Sequence, residues 1–152
     1  MCTTTTHTSR CGGYRVVVVN RSYIGPSIYI GSQSSRDAAS VLANPRSPNA
    51  DLTREEAVAR YRWELRGVVD LTVPFPHWNG RKLSVGERAA MRDEMRRLLY
   101  LLTEQGEIVL RCCCAPKACH GDEIAAILLE EIGPWLMRLR RAPELPAEAL
   151  AA

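Results

Sequence analysis

The chain of 152 residues is short of long apolar runs, of lysine and of any block of like charge. Its apolar runs, Val16–Val19 and Leu98–Leu102 among them, fall far short of the roughly 20 residues that a membrane-spanning helix needs. The opening stretch Met1-Cys2-Thr3-Thr4-Thr5-Thr6-His7 sets no apolar segment behind a basic start, so neither a secretion leader nor a membrane partner is expected. Lys82 and Lys117 are the only lysines, which leaves 18 of the 20 basic side chains as arginine, against 17 acidic ones, for a net charge of +3. Arginine is suited to bidentate recognition of phosphates and carboxylates. Without a concentrated basic run, however, these arginines read as scattered over solvated helix faces, which argues against nucleic acid as the partner. The basis for such a partner reduces to Arg92, Arg96 and Arg97 in one segment and Arg138, Arg140 and Arg141 in another.

Several catalytic signatures are also missing. A Cys-x5-Arg phosphate loop would need arginine where Cys112, Cys113 and Cys114 instead lead to Ala118, Cys119 and His120. There is no Gly-x-x-x-x-Gly-Lys-Ser/Thr loop and no Gly-x-Gly-x-x-Gly, the backbone cradles for nucleotide phosphates. The His-x-Glu and Pro-Cys-x-x-Cys pairing of zinc deaminases is absent too. Tyrosine phosphatase, P-loop kinase, dinucleotide dehydrogenase and nucleobase deaminase are thereby set aside. No internal repeat is present.

What remains is one domain's length with 46% hydrophobic residues, enough for a real core. Residues 1–13 read as a flexible N-terminal tail, in which His7, Cys2 and Cys11 carry no assigned role. Residues 14–142 read as a single α/β domain and 143–152 as a frayed C-terminal tail. The β-branched run Arg15–Asn20 predicts a strand buried on both faces, and Ser27–Ile30 a second, ending at Gly31. From Gly31 to Leu52 the pattern is irregular, with room for a short helix over Arg36–Leu42. Capping boxes at Thr53-x-x-Glu56 and Ser84-x-x-Glu87 open two helices. The first runs to about Val69; the second carries Met91, Met95, Leu98, Leu99 and Leu102 inward and ends at Gly106. Leu71–Gly80 reads as a proline-flanked loop whose His77 and Trp78 either line a ligand or partner surface or pin the loop to the core. Glu107–Cys114 predicts a third strand. A helix from about Gly121 to Ile132 follows, broken at Gly133-Pro134 and resumed for a turn or two. Alternating strands and helices give an α/β fold with a partly parallel sheet flanked by helices, Rossmann-like.

Four of the six cysteines fall within eight residues, at 112, 113, 114 and 119. A disulfide scaffold spreads its cysteines to close loops, whereas crowding points to a metal or a reactive thiol in a reducing compartment. On a strand, Cys112 and Cys114 share a face, and the following loop returns Cys119 and His120 to a helix start. Three readings stay open. Cys112, Cys114, Cys119 and His120 form a zinc ligand set. Alternatively, Cys114 or Cys119 is a nucleophile served by His120, in a small transferase or hydrolase. In the third, all are small core residues under a tight turn.

The run Cys112-x-Cys114-x-Pro116-x-x-Cys119-His120-Gly121-Asp122 resembles the C-terminal signature of the domain-of-unknown-function family 4326, which occurs in bacteria and phages. Val18-Val19-Asn20-Arg21, Tyr29-Ile30-Gly31, Asn44-Pro45 and Thr53-Arg54-Glu55-Glu56 with Tyr61 resemble its other motifs in the same order, over roughly residues 15–130. The chain departs from the pattern at Ser32, where the family has arginine (Arg36 lies near enough to replace it), at Ala43 for glycine, and at Cys113 for an aromatic. That last departure marks Cys113 as packing. No activity comes with the resemblance. It implies that Asn20, Arg21, Asn44 and Asp122 gather with Cys114, Cys119 and His120 at one strand-end cleft. Amides, a guanidinium and a helix N-terminus there suit a small nucleotide-like or other phosphate-bearing ligand. It also implies a cytoplasmic protein of a bacterial cell or phage-infected host. The alternative is a non-enzymatic protein, zinc-stabilised at the same four residues, that acts through an undefined protein partner.

Overall fold

A computed structural model describes residues 7–45, 51–70, 77–115 and 117–141. The elements run β1 His7–Cys11, β2 Tyr14–Asn20, β3 Ile28–Tyr29, α1 Arg54–Val69, β4 His77–Trp78, β5 Arg81–Lys82, α2 Val85–Gln105, β6 Glu107–Cys112 and α3 His120–Arg141. The main sheet has the order β1-β2-β6-β3. β6 is central and parallel to both β2 and β3, while β1 is antiparallel to β2. The fold is therefore α/β, with three helices and a mixed sheet containing parallel pairs. No helix among the described residues is long and apolar enough to cross a membrane.

The parallel register sets the site. Val16 lies opposite Ile108, Val18 opposite Leu110 and Asn20 opposite Cys112, so the carboxyl ends of β2, β3 and β6 meet at one edge, where ligands gather in such sheets. Side chains alternate across the pleat. Val16, Val18, Ile108, Leu110 and Cys112 face a core shared with the helices, of which α2 and α3 pack on β2 and β6 while α1 packs on the other two helices. The opposite face is less covered than the apolar run of β2 predicts: Val19 is buried, but Val17 and Val109 are half-buried, and Arg15 pairs with Glu107.

Both capping boxes form, with Thr53 and Ser84 each exchanging hydrogen bonds with the glutamate three residues on, and Gly106 closes α2 in the left-handed conformation. Each cap stabilises its helix by about 1 kcal/mol. Met91, Met95, Leu98, Leu99 and Leu102 are buried as their spacing predicts.

Four expectations need correction. His7–Cys11 is an edge strand rather than tail, because Gly12-Gly13 forms a two-residue hairpin turn onto β2; residues 1–6 lie outside the described set. Similarly, Asn79-Gly80 is a tight turn with φ of 53° and 80°, joining β4 to β5 where a plain loop is expected. An Asn-Gly pair suits this turn because both residues tolerate positive φ. Arg36–Leu42 contains no helix. Finally, α3 passes through Pro134 without a break. Proline in a helix costs about 3 kcal/mol, and burying Trp135 and Leu136 against the core offsets it.

Tyr61 anchors the layers. Fully buried, it donates its hydroxyl hydrogen to the Leu42 carbonyl at 2.6 Å. Its ring meets Trp78 edge-on at 5.3 Å and His120 at 5.1 Å. One side chain thus joins the 31–45 loop, the small hairpin and the start of α3.

Candidate metal centre

β6 ends at Cys112, two residues earlier than its apolar pattern predicts, so Cys114 stands in the turn rather than on the strand. The turn closes through Lys117 N–H to Cys114 C=O at 3.1 Å and Asp122 N–H to Cys119 C=O at 3.1 Å. It brings Cys112, Cys114, Cys119 and His120 together, with one potential ligand atom from each lying within 4.8 Å of all the others. Cys112 and Cys119 are fully buried, His120 is 2% exposed and Cys114 is half-buried.

The histidine is oriented from behind. Its Nε2 lies 2.9 Å from the Ile30 carbonyl, an acceptor only, so Nε2 carries the proton and donates it. Nδ1 is left with its lone pair free, 3.6 Å from Cys112 Sγ and 3.9 Å from Cys114 Sγ. A carbonyl fixing one ring nitrogen so that the other can ligate is the usual support for a metal-binding imidazole. Tetrahedral zinc, with bonds of about 2.3 Å to sulfur and about 2.0 Å to nitrogen, holds its donors roughly 3.5–3.8 Å apart. The Cys112 Sγ–Nδ1 separation of 3.6 Å falls within that spacing, and the Cys114 Sγ–Nδ1 separation of 3.9 Å is slightly wider.

The sulfurs are also prepared for negative charge. Cys114 N–H donates to Cys112 Sγ at 3.4 Å, and Gly121 N–H to Cys119 Sγ at 3.2 Å. Hydrogen bonds from Cys112 first, then from Cys119, hold the Cys114 thiol far below the ordinary range. Its partner Cys112 is pushed far up, first by donating to Cys114, then by Cys119 and burial. For Cys119 the Cys112 hydrogen bond pulls downward, but Cys114 and burial outweigh it, and the thiol is pushed up to about 12. Three sulfurs crowded this closely disfavour one another's ionisation, and a divalent cation at their centre would let all three ionise.

Gly121 makes the close approach possible. A Cβ there would lie 2.8 Å from Val18 Cγ1, 3.0 Å from Ile30 Cδ1 and 3.3 Å from Cys119 Sγ, so glycine at its second position lets α3 start this near the sheet without displacing those side chains.

The other sequence-derived residues mostly serve internal contacts. Asn20 donates through Nδ2 to the Ala115 carbonyl and accepts from Ser22 N–H at 3.0 Å, tethering the cysteine turn to β2. Asn44 donates to the Ala57 carbonyl on α1 at 3.4 Å. Asp122 accepts from His7 Nδ1 at 2.9 Å, which gives the supposed tail residue a position beside the centre. Arg21 is exposed and, among the described residues, makes no ion pair. Arg36 is likewise exposed, whereas Arg111 forms a two-pronged pair with Asp37 at 2.6 and 3.2 Å under the same loop. Cys113, read as packing, is exposed and outside the cluster; Pro116 lies outside the described residues. Sequence reasoning missed the Ile30 carbonyl and the Tyr61 ring against His120, neither of which has a local signal. The Gly12-Gly13 turn was the signal for His7.

A family model described as Domain of unknown function (DUF4326) matches residues 7–130, from the first residue of β1 into α3. No curated protein and no solved structure matches the chain.

Proposed function

Because the chain belongs to the DUF4326 family, whose description assigns no activity, we propose a function from the geometry: a non-enzymatic, zinc-stabilised domain that acts through a binding partner. The observation that carries this reading is His120, with Nε2 committed to the Ile30 carbonyl and Nδ1 turned to the sulfurs. Four protein donors fill a tetrahedral shell and leave no open position, the hallmark of a structural rather than a catalytic zinc. With three of the four donors buried, the metal would cross-link the end of β6 to the start of α3. A reducing, cytoplasmic compartment suits the five thiols that are free among the described residues.

Metal analysis of protein purified without chelator tests the reading. About one zinc per chain is expected, and a strong chelator should lower the melting temperature together with the metal content. Metal-free protein whose stability ignores both zinc and chelator would overturn it.

A second reading, a Cys/His-dependent transferase or hydrolase acting on a phosphate-bearing ligand near Asn20, Arg21, Asn44 and Asp122, draws on Cys114. It is the one half-buried donor, close to His120 and one strand away from the exposed Arg21. Cys119, fully buried and accepting from Gly121 N–H, is poorly placed to attack a substrate. Rapid alkylation of Cys114 in zinc-loaded protein would favour this second reading; protection from alkylation would favour the first.

A further inference from the structure

A second feature lies well away from the cysteines. α1, α2 and α3 leave a groove of about 740 Å³ between them, within the usual range for small-molecule sites. Its α3 residues begin at Ile127 and reach Arg138, and Glu131, near the middle of that stretch, is eleven residues from His120, about 16 Å along the helix. Buried Met95, Leu99 and Ile127 form an apolar floor. Trp63 from α1 and Trp135 from α3 also line the groove.

Both tryptophans are unusual. Trp63 is 73% exposed, although a large aromatic ring is normally drawn into the core. Trp135 has its indole N–H buried with no acceptor among the described residues, a donor that native structures rarely leave unmade.

The charges are unusual as well. Arg88, Arg92 and Arg96 follow one another at four-residue intervals along α2, a spacing at which like charges repel and weaken a helix. Arg88 donates to the Val68 and Asp70 carbonyls, and Arg96 pairs with Asp93 at 2.9 Å. Arg92 makes no ion pair among the described residues; burial, Arg96 and Arg88 all disfavour its charge, and Asp93 alone offsets them. Arg92 and Arg96 line the groove, as does Arg138, whose contact with Glu131 is loose at 3.6 Å. An arginine held between two others, at an apolar floor with an open aromatic ring, has a use when an anion is present.

We propose that this groove binds a phosphate-bearing aromatic small molecule of the nucleotide class, with its ring against Trp63 and the apolar floor and its phosphate on Arg92 and Arg96. Guanidinium forks match phosphate oxygens in geometry and charge. Glu131 from α3, and Glu64 and Asp70 from α1 and its C-terminal end, would repel the phosphate and so confine it to the α2 side of the groove. The site shares no residue with the metal centre and does not depend on the zinc reading.

Titration of the full chain, purified without chelator, with the four ribonucleoside 5′-triphosphates, followed by calorimetry and tryptophan fluorescence, tests the proposal. Adenosine and inorganic phosphate serve as separate controls. At least one nucleotide should bind saturably, and both controls should bind at least about tenfold more weakly, since each supplies half of the contacts. Arg92→Glu and Trp63→Ala should each weaken binding by roughly tenfold or more while zinc content and melting temperature stay unchanged. Absence of saturable nucleotide binding would overturn the proposal. So would wild-type affinity in both variants, or binding confined to single-stranded oligonucleotides.

Discussion

The carboxyl edge of the sheet and the groove between the helices collect polar chemistry in opposite ways. At the sheet edge, donors and acceptors satisfy one another: His120 with Ile30, Asn20 with Ala115, Asp122 with His7, and backbone N–H groups with sulfur. In the groove, Trp63 stands open, the Trp135 N–H has no acceptor among the described residues and Arg92 has no carboxylate of its own. A region whose groups answer each other supports the fold. The one with unanswered groups is where the proposed ligand would bind.

Substitutions separate the two regions by their effect on stability. If the proposed zinc is bound, the largest loss is expected at its four candidate donors. Cys119→Ser should abolish stoichiometric zinc and, because metal binding is coupled to folding, lower stability by several kcal/mol or more, read as loss of a cooperative thermal transition. Gly121→Ala comes next: the new methyl meets Val18 and Ile30, and overpacking of this kind costs about 1–3 kcal/mol by denaturant titration. Tyr61→Phe removes the hydrogen bond to the Leu42 carbonyl while keeping both ring contacts, for a loss of about 1–2 kcal/mol in the same titration. His7→Ala breaks a partly exposed contact with Asp122 and should cost less than about 1 kcal/mol with zinc content intact. The groove variants Trp63→Ala and Arg92→Glu should fall within about 0.5 kcal/mol of wild type. A large stability loss in the groove, or none at Cys119, would erase the contrast.

What the sequence disclosed follows the range of the interactions. Thr53 with Glu56, Ser84 with Glu87, and Gly106 act within a turn of their own helix, so spacing alone locates them. The four candidate metal donors were legible for the same reason, since all four lie between residues 112 and 120. Their supports were not: Ile30 contributes a carbonyl rather than a side chain, and Tyr61 arrives from another layer. Pro134 reads locally as a helix breaker, and only the burial of Trp135 and Leu136 reverses that. β1 was hidden because its polar residues gain their place from pairing with β2. Arg92 and Arg96 lie one turn apart on α2, as their spacing shows, but Arg138 joins them only when α2 and α3 pack together.

The central position of β6 also bears on how the chain reaches its native state. Val16 waits for a partner, Ile108, that lies 92 residues further along the sequence, and pairings of such separation form slowly. The corner from Cys112 to His120 closes over only a few residues, at small entropic cost. A metal captured by that corner would order it before the sheet assembles, and β2 and β3 would then add to either side of a strand already fixed at one end.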